Sequence, residues 1–116
     1  MTDEKKILQS ILESSADGIL VVDADRQISH CNDRFLALMN VPKEVAEQGD
    51  AGSLLTFLAG KIINPERFVD RVNRLYETLE DARDTLSMKD GRFVERISRP
   101  LIHNGRLIGR VWTFRD

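Results

Sequence analysis

The sequence predicts a single α+β domain with an antiparallel sheet. Two turn dipeptides, Asp90-Gly91 and Asn104-Gly105, divide the C-terminal part of the chain into three strands. Both dipeptides tolerate the positive φ angles of type I′ turns, whose twist matches that of antiparallel strands. A sheet of three strands cannot keep both faces in water. The preceding segments show helical periodicity and are therefore expected to cover one face.

The composition excludes several functional classes. The 116 residues are 41% hydrophobic and 31% charged, as in an ordinary globular domain. A net charge of −2 gives no basic surface for a nucleic acid. No apolar run reaches the roughly 18 residues of a membrane span, and no signal peptide is recognisable. The only cysteine, Cys31, cannot form an internal disulfide, so a reducing, cytoplasmic location is expected.

The first segment, Thr2–Ser14, has the periodicity of a helix. Its apolar residues form one stripe: Ile7, Leu8, Ile11 and Leu12. The stripe predicts either packing on its own domain or dimerisation with a second copy. A β-branched run then predicts a strand over Ile19–Val22, and Gln27–Cys31 is expected to complete a hairpin with it.

Several short helices are expected next. Asn32 or Asp33 can cap the first, which carries Phe35 and Met39, and Pro42 can open another that ends at Glu47. Ser53 is expected to cap a third, which Gly60 closes.

A longer helix and three strands complete the chain. Asn64 is expected to cap this helix, with Pro65 at its first position and its end near Glu80. Its apolar residues share one face: Phe68, Val72, Leu75 and Leu79. The expected strands are Arg83–Lys89, Arg92–Ile102 and Leu107–Arg115.

Five stretches of the chain carry a family resemblance. They are Asp17–Asp23, Ile28–Asn32 with Phe35, Lys89–Arg92, Arg99–Leu101 with Asn104-Gly105, and Gly109–Asp116. In this order and at this spacing they resemble the PAS domain family of sensory and signalling modules. The resemblance covers residues 16–116, and residues 1–15 correspond to a leader or dimerisation helix. It implies a five-stranded antiparallel sheet in the order 2-1-5-4-3, with helices on one face.

The resemblance also implies a function. Members are input modules of sensor histidine kinases in two-component systems, of cyclases or of transcription regulators. Their last strand usually ends in Asp-x-Thr and leads into an effector domain, whereas this chain stops at Asp116. We therefore expect a sensory and dimerisation domain excised from a larger signalling protein, with a covalently linked effector after Asp116.

No independent enzymatic site is expected. His30 and Cys31 are neighbours on a strand and point to opposite faces, and no cluster has metal-ligand spacing. Relatives hold haem or flavin between sheet and helices. The haem-binding relatives use a histidine of the long helix, but Pro65–Glu80 contains none. The cysteinyl-flavin relatives need a cysteine within residues 49–60, which is absent. Neither cofactor is expected, and the ligand is unknown.

The candidate binding pocket lies between the helices and the sheet. By the resemblance its walls would be Phe35, Phe57, Phe68, Val72, Arg96, Ser98, Trp112 and Phe114. A buried Arg96 is costly unless it is paired. It would bind a carboxylate or other small anion together with Ser98, or it would be satisfied within the domain, for example by Asp23 or by backbone carbonyls. A ligand-free interaction domain with a filled core is a further alternative.

The opposite face of the sheet is more apolar than an exposed face normally is. Strand alternation places four uncharged residues there, interleaved with the charged Glu95, Arg99 and Arg115: Phe93, Ile97, Val111 and Thr113. A homodimer built from leader helices and outer sheet faces is therefore the expected partner arrangement.

Overall fold

The structure is a computed structural model that describes residues 3–116. The helices are α1 (Asp3–Glu13), α2 (Asp33–Leu38), α3 (Lys43–Glu47), α4 (Ala51–Ala59) and α5 (Pro65–Leu75). The strands are β1 (Gly18–Asp23), β2 (Ile28–Cys31), β3 (Ala82–Ser87), β4 (Phe93–His103) and β5 (Arg106–Arg115). The predicted start of the leader helix, Thr2, lies outside the described residues. None of the described helices has the length and apolar character needed to cross a membrane.

The five strands form one antiparallel sheet in the order β2-β1-β5-β4-β3. The C-terminal strand β5 therefore occupies the centre, with β1 on one side and β4 on the other. Its register places Trp112 opposite Leu20 of β1 and Phe114 opposite Arg96 of β4. Alternate residues of these strands are buried beneath the helices, which confirms the predicted fold class.

The two turns that led to this prediction differ in type. Asn104 and Gly105 have φ angles of 51° and 76°, as a type I′ turn requires. At the other turn only Gly91 has a positive φ, of 94°, and its amide donates to the Met88 carbonyl. The Met88 amide donates to the Arg92 carbonyl, so three residues separate the paired positions, one more than a type I′ turn contains. The Asp90-Gly91 turn is therefore not type I′. A type I turn followed by a left-handed glycine fits this spacing.

A buried asparagine at the end of β2 fastens α1 and α2 to the sheet. The side-chain oxygen of Asn32 accepts hydrogen bonds from the amides of Ile19 and Phe35, at 2.9 and 3.0 Å. Its Nδ2 donates to the carbonyls of Leu12 and Asp17, at 2.7 and 3.0 Å. Asn32 is completely buried and makes four hydrogen bonds, so these contacts are stabilising.

The apolar stripe of α1 is mostly uncovered. Leu12 is buried, whereas Ile7, Leu8 and Ile11 are 60%, 40% and 59% exposed. Gln9 donates to the Cys31 carbonyl and holds the C-terminal half of the helix against β2. Packing on its own domain therefore accounts for Leu12 but not for the rest of the stripe.

A buried arginine of β5 organises the end of α5. Arg110 is 1% exposed, and its Nε donates to Ser98 Oγ at 2.8 Å. Its Nη groups donate to the carbonyls of Leu75, Thr78 and Glu80, at 2.8, 3.0 and 2.7 Å. The last carbonyls of a helix lack intrahelical partners and carry partial negative charge, so a guanidinium here is stabilising.

This contact explains a wrong prediction about α5. The helix ends at Leu75 instead of continuing to Glu80. Beyond it the Thr78 amide bonds to the Leu75 carbonyl in a tighter turn, and Arg110 donates to the same carbonyl, which the Leu79 amide would use in a longer helix. Leu79 consequently lies 64% exposed and does not join the buried face of the helix.

The capping of two helices also differs from the prediction. Asp50, not Ser53, is the N-cap of α4, because its carboxylate accepts from the Gly52 amide and the Ser53 hydroxyl. Asn64 holds the N-cap position of α5 as expected. Its φ of 60° is left-handed, however, and its side chain makes no capping hydrogen bond.

Replacing Arg110 by alanine is expected to lower the free energy of unfolding by about 3 kcal/mol. The change leaves Ser98 and three carbonyls without their donor, and unpaired buried groups are costly. Urea unfolding followed by the fluorescence of the single tryptophan measures this. The control Arg106→Ala changes an exposed arginine of β5 and should alter stability by less than about 0.5 kcal/mol. Equal effects of the two variants would contradict the assigned role of Arg110.

Candidate functional site

The space between the helices and the inner face of the sheet is a cavity of about 30 Å³. A water molecule needs roughly 10–15 Å³ and a drug-sized ligand roughly 300 Å³ or more. In this conformation the cavity therefore has room for a water-sized molecule but not for haem or flavin. A larger ligand would require α4 or α5 to move away from the sheet.

The cavity wall includes five of the eight residues predicted for the pocket. They are Phe68, Val72, Arg96, Trp112 and Phe114. The wall also includes residues that the sequence analysis did not propose: Leu20, Val22, Ala51, Leu54, Leu55, Leu58 and Tyr76. Helical spacing could have identified some of them, since Leu54 and Leu58, like Val72 and Tyr76, are four residues apart.

The other three predicted residues lie elsewhere. Phe35 is buried against Phe114, with ring centroids 5.1 Å apart, but does not line the cavity. Phe57 is half-buried, and the Lys61 ammonium lies 5.0 Å from the centre of its ring. Ser98 is buried and accepts the hydrogen bond from Arg110. The structure thus separates Ser98 from the cavity at which it was expected to act.

Arg96 projects beneath the helices as expected, and its charge is paired within the domain. Its Nε and Nη2 donate to the two carboxylate oxygens of Asp84, at 2.9 and 2.6 Å. Its guanidinium also lies 5.1 Å from the ring centres of both Phe68 and Trp112. The partner is Asp84 and not Asp23, because the β3–β4 register places Asp84 directly opposite Arg96.

Trp112 brings an unsatisfied donor to the cavity wall. Its Nε1 is buried and has no hydrogen-bond partner among residues 3–116. The Tyr76 ring packs beside it, with centroids 5.7 Å apart, and the Arg26 guanidinium covers Tyr76 at 4.3 Å. A buried donor without a partner costs about 1–3 kcal/mol. A hydrogen-bond acceptor at this wall would therefore be stabilised.

Burial shifts the acid–base behaviour of two side chains. It raises the pKa of the Tyr76 phenol, while the neighbouring Trp112 and the nearby arginines oppose the rise. Burial also raises the pKa of the Cys31 thiol, and the charges of Glu13 and Asp33 add to this effect. Cys31 is therefore held as the thiol at neutral pH, which is the unreactive form. The described part of the chain contains no group of three or more potential metal ligands.

The Tyr76 phenol is expected to ionise above the pH of about 10 that is usual for tyrosine. Tyr76 is the only tyrosine, so absorbance of the phenolate measures its pKa directly. Because the folded state disfavours the phenolate, this group's contribution to stability is complete below the unfolded pKa. The contribution falls as the pH rises from there towards the folded pKa. Tyr76→Phe should flatten this alkaline decline, and an equally steep decline in the variant would contradict the assignment.

Several solved structures with the same architecture are described as PAS domains or sensor regions. The PAS domain of BvgS from Bordetella pertussis has a TM-score of 0.70 and 16% identity, over 99% of this chain and 87% of that one. A PAS domain of a protein from Colwellia psychrerythraea has a TM-score of 0.65 and 21% identity, over 98% and 97%. The sensor region of a sensor histidine kinase has a TM-score of 0.67 and 21% identity, over 88% and 39%. These likenesses show the fold.

Sequence comparison gives the family. No curated protein matches the chain. A family model described as the PAS fold matches residues 12–116, from the end of α1 through the last strand. The match spans the whole sheet and the helices that cover it. The chain therefore belongs to the PAS family.

Proposed function

We propose that this PAS domain is the sensory input module of a larger signalling protein, a histidine kinase or a cyclase, and acts as a homodimer. The similarity to the sensor region of a sensor histidine kinase supports this role. The signal would shift the balance between two arrangements of α4 and α5 over the sheet. These helices form one wall of the cavity, and β1, β4 and β5 form the other.

The observation that carries the proposal is an ion pair between the two ends of the domain. Arg115, at the end of β5, donates from Nε and Nη2 to the two carboxylate oxygens of Asp17, at 2.9 and 3.0 Å. Asp17 lies in the linker between α1 and β1 and holds Asn32 through its carbonyl. The Arg115 hydrogen bond keeps the pKa of the Asp17 carboxyl below its usual value. A shift of β5 would therefore be transmitted to the leader helix.

Two exposed apolar surfaces support the homodimer. The first is the uncovered α1 stripe of Ile7, Leu8 and Ile11. The second is the outer sheet face, where Phe93 is 67% exposed and Ile97, Val111 and Thr113 are partly covered. Exposed apolar patches are usually interaction sites. A two-fold axis beside α1 would pack the α1 stripe of one copy against that of the other and so bury both stripes.

A ligand-free interaction domain is the second candidate, favoured by the small cavity. In that case the packed core would only support the dimer and its partner contacts. The Arg96 and Ser98 anion site has less support, because Arg96 is paired with Asp84 and Ser98 with Arg110.

Replacing Ile7 and Ile11 together by glutamine is expected to weaken the dimer by at least about tenfold in Kd. Both side chains are about 60% exposed, so the free energy of unfolding should hardly change. Sedimentation velocity across a concentration series measures the association. The control Ile63→Gln with Leu79→Gln changes two apolar side chains of similar exposure away from α1. A wild-type domain that stays monomeric at about 100 μM would exclude the dimer.

Replacing Asp17 by asparagine is expected to change signal output by about fivefold or more, because it breaks the link between β5 and the leader. The readout is autophosphorylation of a histidine kinase in which this domain replaces the native PAS domain. Asp25→Asn, in the β1–β2 turn, is the matched control, since its carboxylate makes no ion pair among the described residues. Unchanged output in Asp17→Asn would argue against this route of transmission.

A further inference from the structure

A second concave surface lies outside the cavity, between α5 and the edge strand β3. It is a groove of about 450 Å³, which is within the size range of small-molecule sites. Its apolar wall includes Ile63, Phe68 and Leu86, and Ile63 is 52% exposed. Phe68 and Arg96 border both the groove and the inner cavity. The groove and the cavity therefore share two side chains.

The groove is positively charged in a domain that is negative overall. Three arginines line it, Arg67, Arg71 and Arg96, and Asp84 is the only carboxylate among its lining residues. Three positive charges and one negative charge leave +2, against a net charge of −2 for the chain. Such a concentration of guanidinium groups favours an anion.

The hydrogen bonds leave donors available in this groove. Asp84 accepts from Nε and Nη2 of Arg96 and from Nε of Arg71, at 2.9 Å. Among residues 3–116, Arg71 uses only its Nε, so both of its Nη groups are free of protein acceptors. Arg67 forms no ion pair within that range. Because Asp84 already orients Arg71, less side-chain entropy would be lost when an anion binds.

We propose that this groove binds a small organic anion. Arg67 and Arg71 would hold its carboxylate or phosphate group, and its apolar body would lie against Ile63 and Phe68. Asp84 acts as an internal counter-charge that positions the arginines and competes with the ligand. The role of this site as the input of a sensory domain rests on the proposed function. The binding itself can be measured independently.

Benzoate and phenyl phosphate are suitable probes, with benzyl alcohol as the neutral control. We expect saturable shifts of the Arg67 and Arg71 Nε–H signals in ¹H–¹⁵N NMR spectra with at least one anion, at a Kd of about 1 mM. The tighter of the two anions identifies the head group. The fluorescence of Trp112, whose ring lies 5.1 Å from the Arg96 guanidinium, should change in parallel. Absence of saturation by either anion up to about 50 mM, or equal shifts with benzyl alcohol, would overturn the proposal.

Substitutions test which side chains bind the anion. Arg71→Ala should weaken binding by about tenfold or more, whereas Arg74→Ala, an exposed arginine of α5 outside the groove, should change it less than about twofold. Arg67→Ala tests the same site at a second exposed position and should weaken binding by about fivefold. Equal losses in Arg71→Ala and Arg74→Ala would mean non-specific attraction and would refute the site.

The outcomes separate this site from the proposed function. If the titrations fail while the dimer forms and the chimeric kinase responds, only the groove site is refuted. If the anion binds saturably while the domain is monomeric and the chimera does not respond, only the signalling role is refuted.

Discussion

The buried guanidinium of Arg110 is the contact on which the arrangement of α5 and the sheet depends. It joins the centre of the sheet to the end of α5 and the segment after it through three carbonyls. Its fourth partner is the Ser98 hydroxyl of β4, and no carboxylate is among its hydrogen-bond partners. Burial lowers the pKa of Arg110, and the negative charges of the Tyr76 phenolate, once it forms at high pH, and of the Asp81 carboxylate act against that shift. Four hydrogen bonds offset the cost of removing this cation from water. By ending α5 at Leu75, Arg110 also fixes where the helix lies over the inner face.

The second arginine of the inner face has a different role. Arg96 is paired with a carboxylate at the edge of the sheet, and that carboxylate is shared with Arg71 at the protein surface. The side chain of Arg96 is 3% exposed, whereas that of Arg71 is 44% exposed. The ion-pair network therefore runs from solvent to the cavity wall. A change at the surface of the groove has a direct physical route to the core, whereas the Arg110 contacts hold a fixed part of the fold.

The alternation of side chains along a strand explains which site residues the sequence could predict. Side chains alternate between the two faces of a strand, so the sequence of β4 and β5 places Arg96, Ser98, Trp112 and Phe114 on one face. The structure confirms that face. It does not follow that all four reach one cavity, because Ser98 lies beside Arg110 and is withdrawn from it. Tyr76 lies four residues after Val72 but was missed, because the apolar face of the helix was assigned to Leu75 and Leu79 instead.

Local chemistry in the sequence determined the elements of this protein. Turn dipeptides, strand alternation and helical spacing act between residues close in the chain, and the order of motifs indicated the PAS family. Tertiary structure decided which groups the buried arginines pair with. The link between Arg96 and Asp84 depends on a strand register, and that between Arg110 and the end of α5 spans more than thirty residues. The three strands from which the fold was first predicted thus form one side of a nearly filled core. Their contacts with α5 follow from packing, which local sequence patterns do not encode.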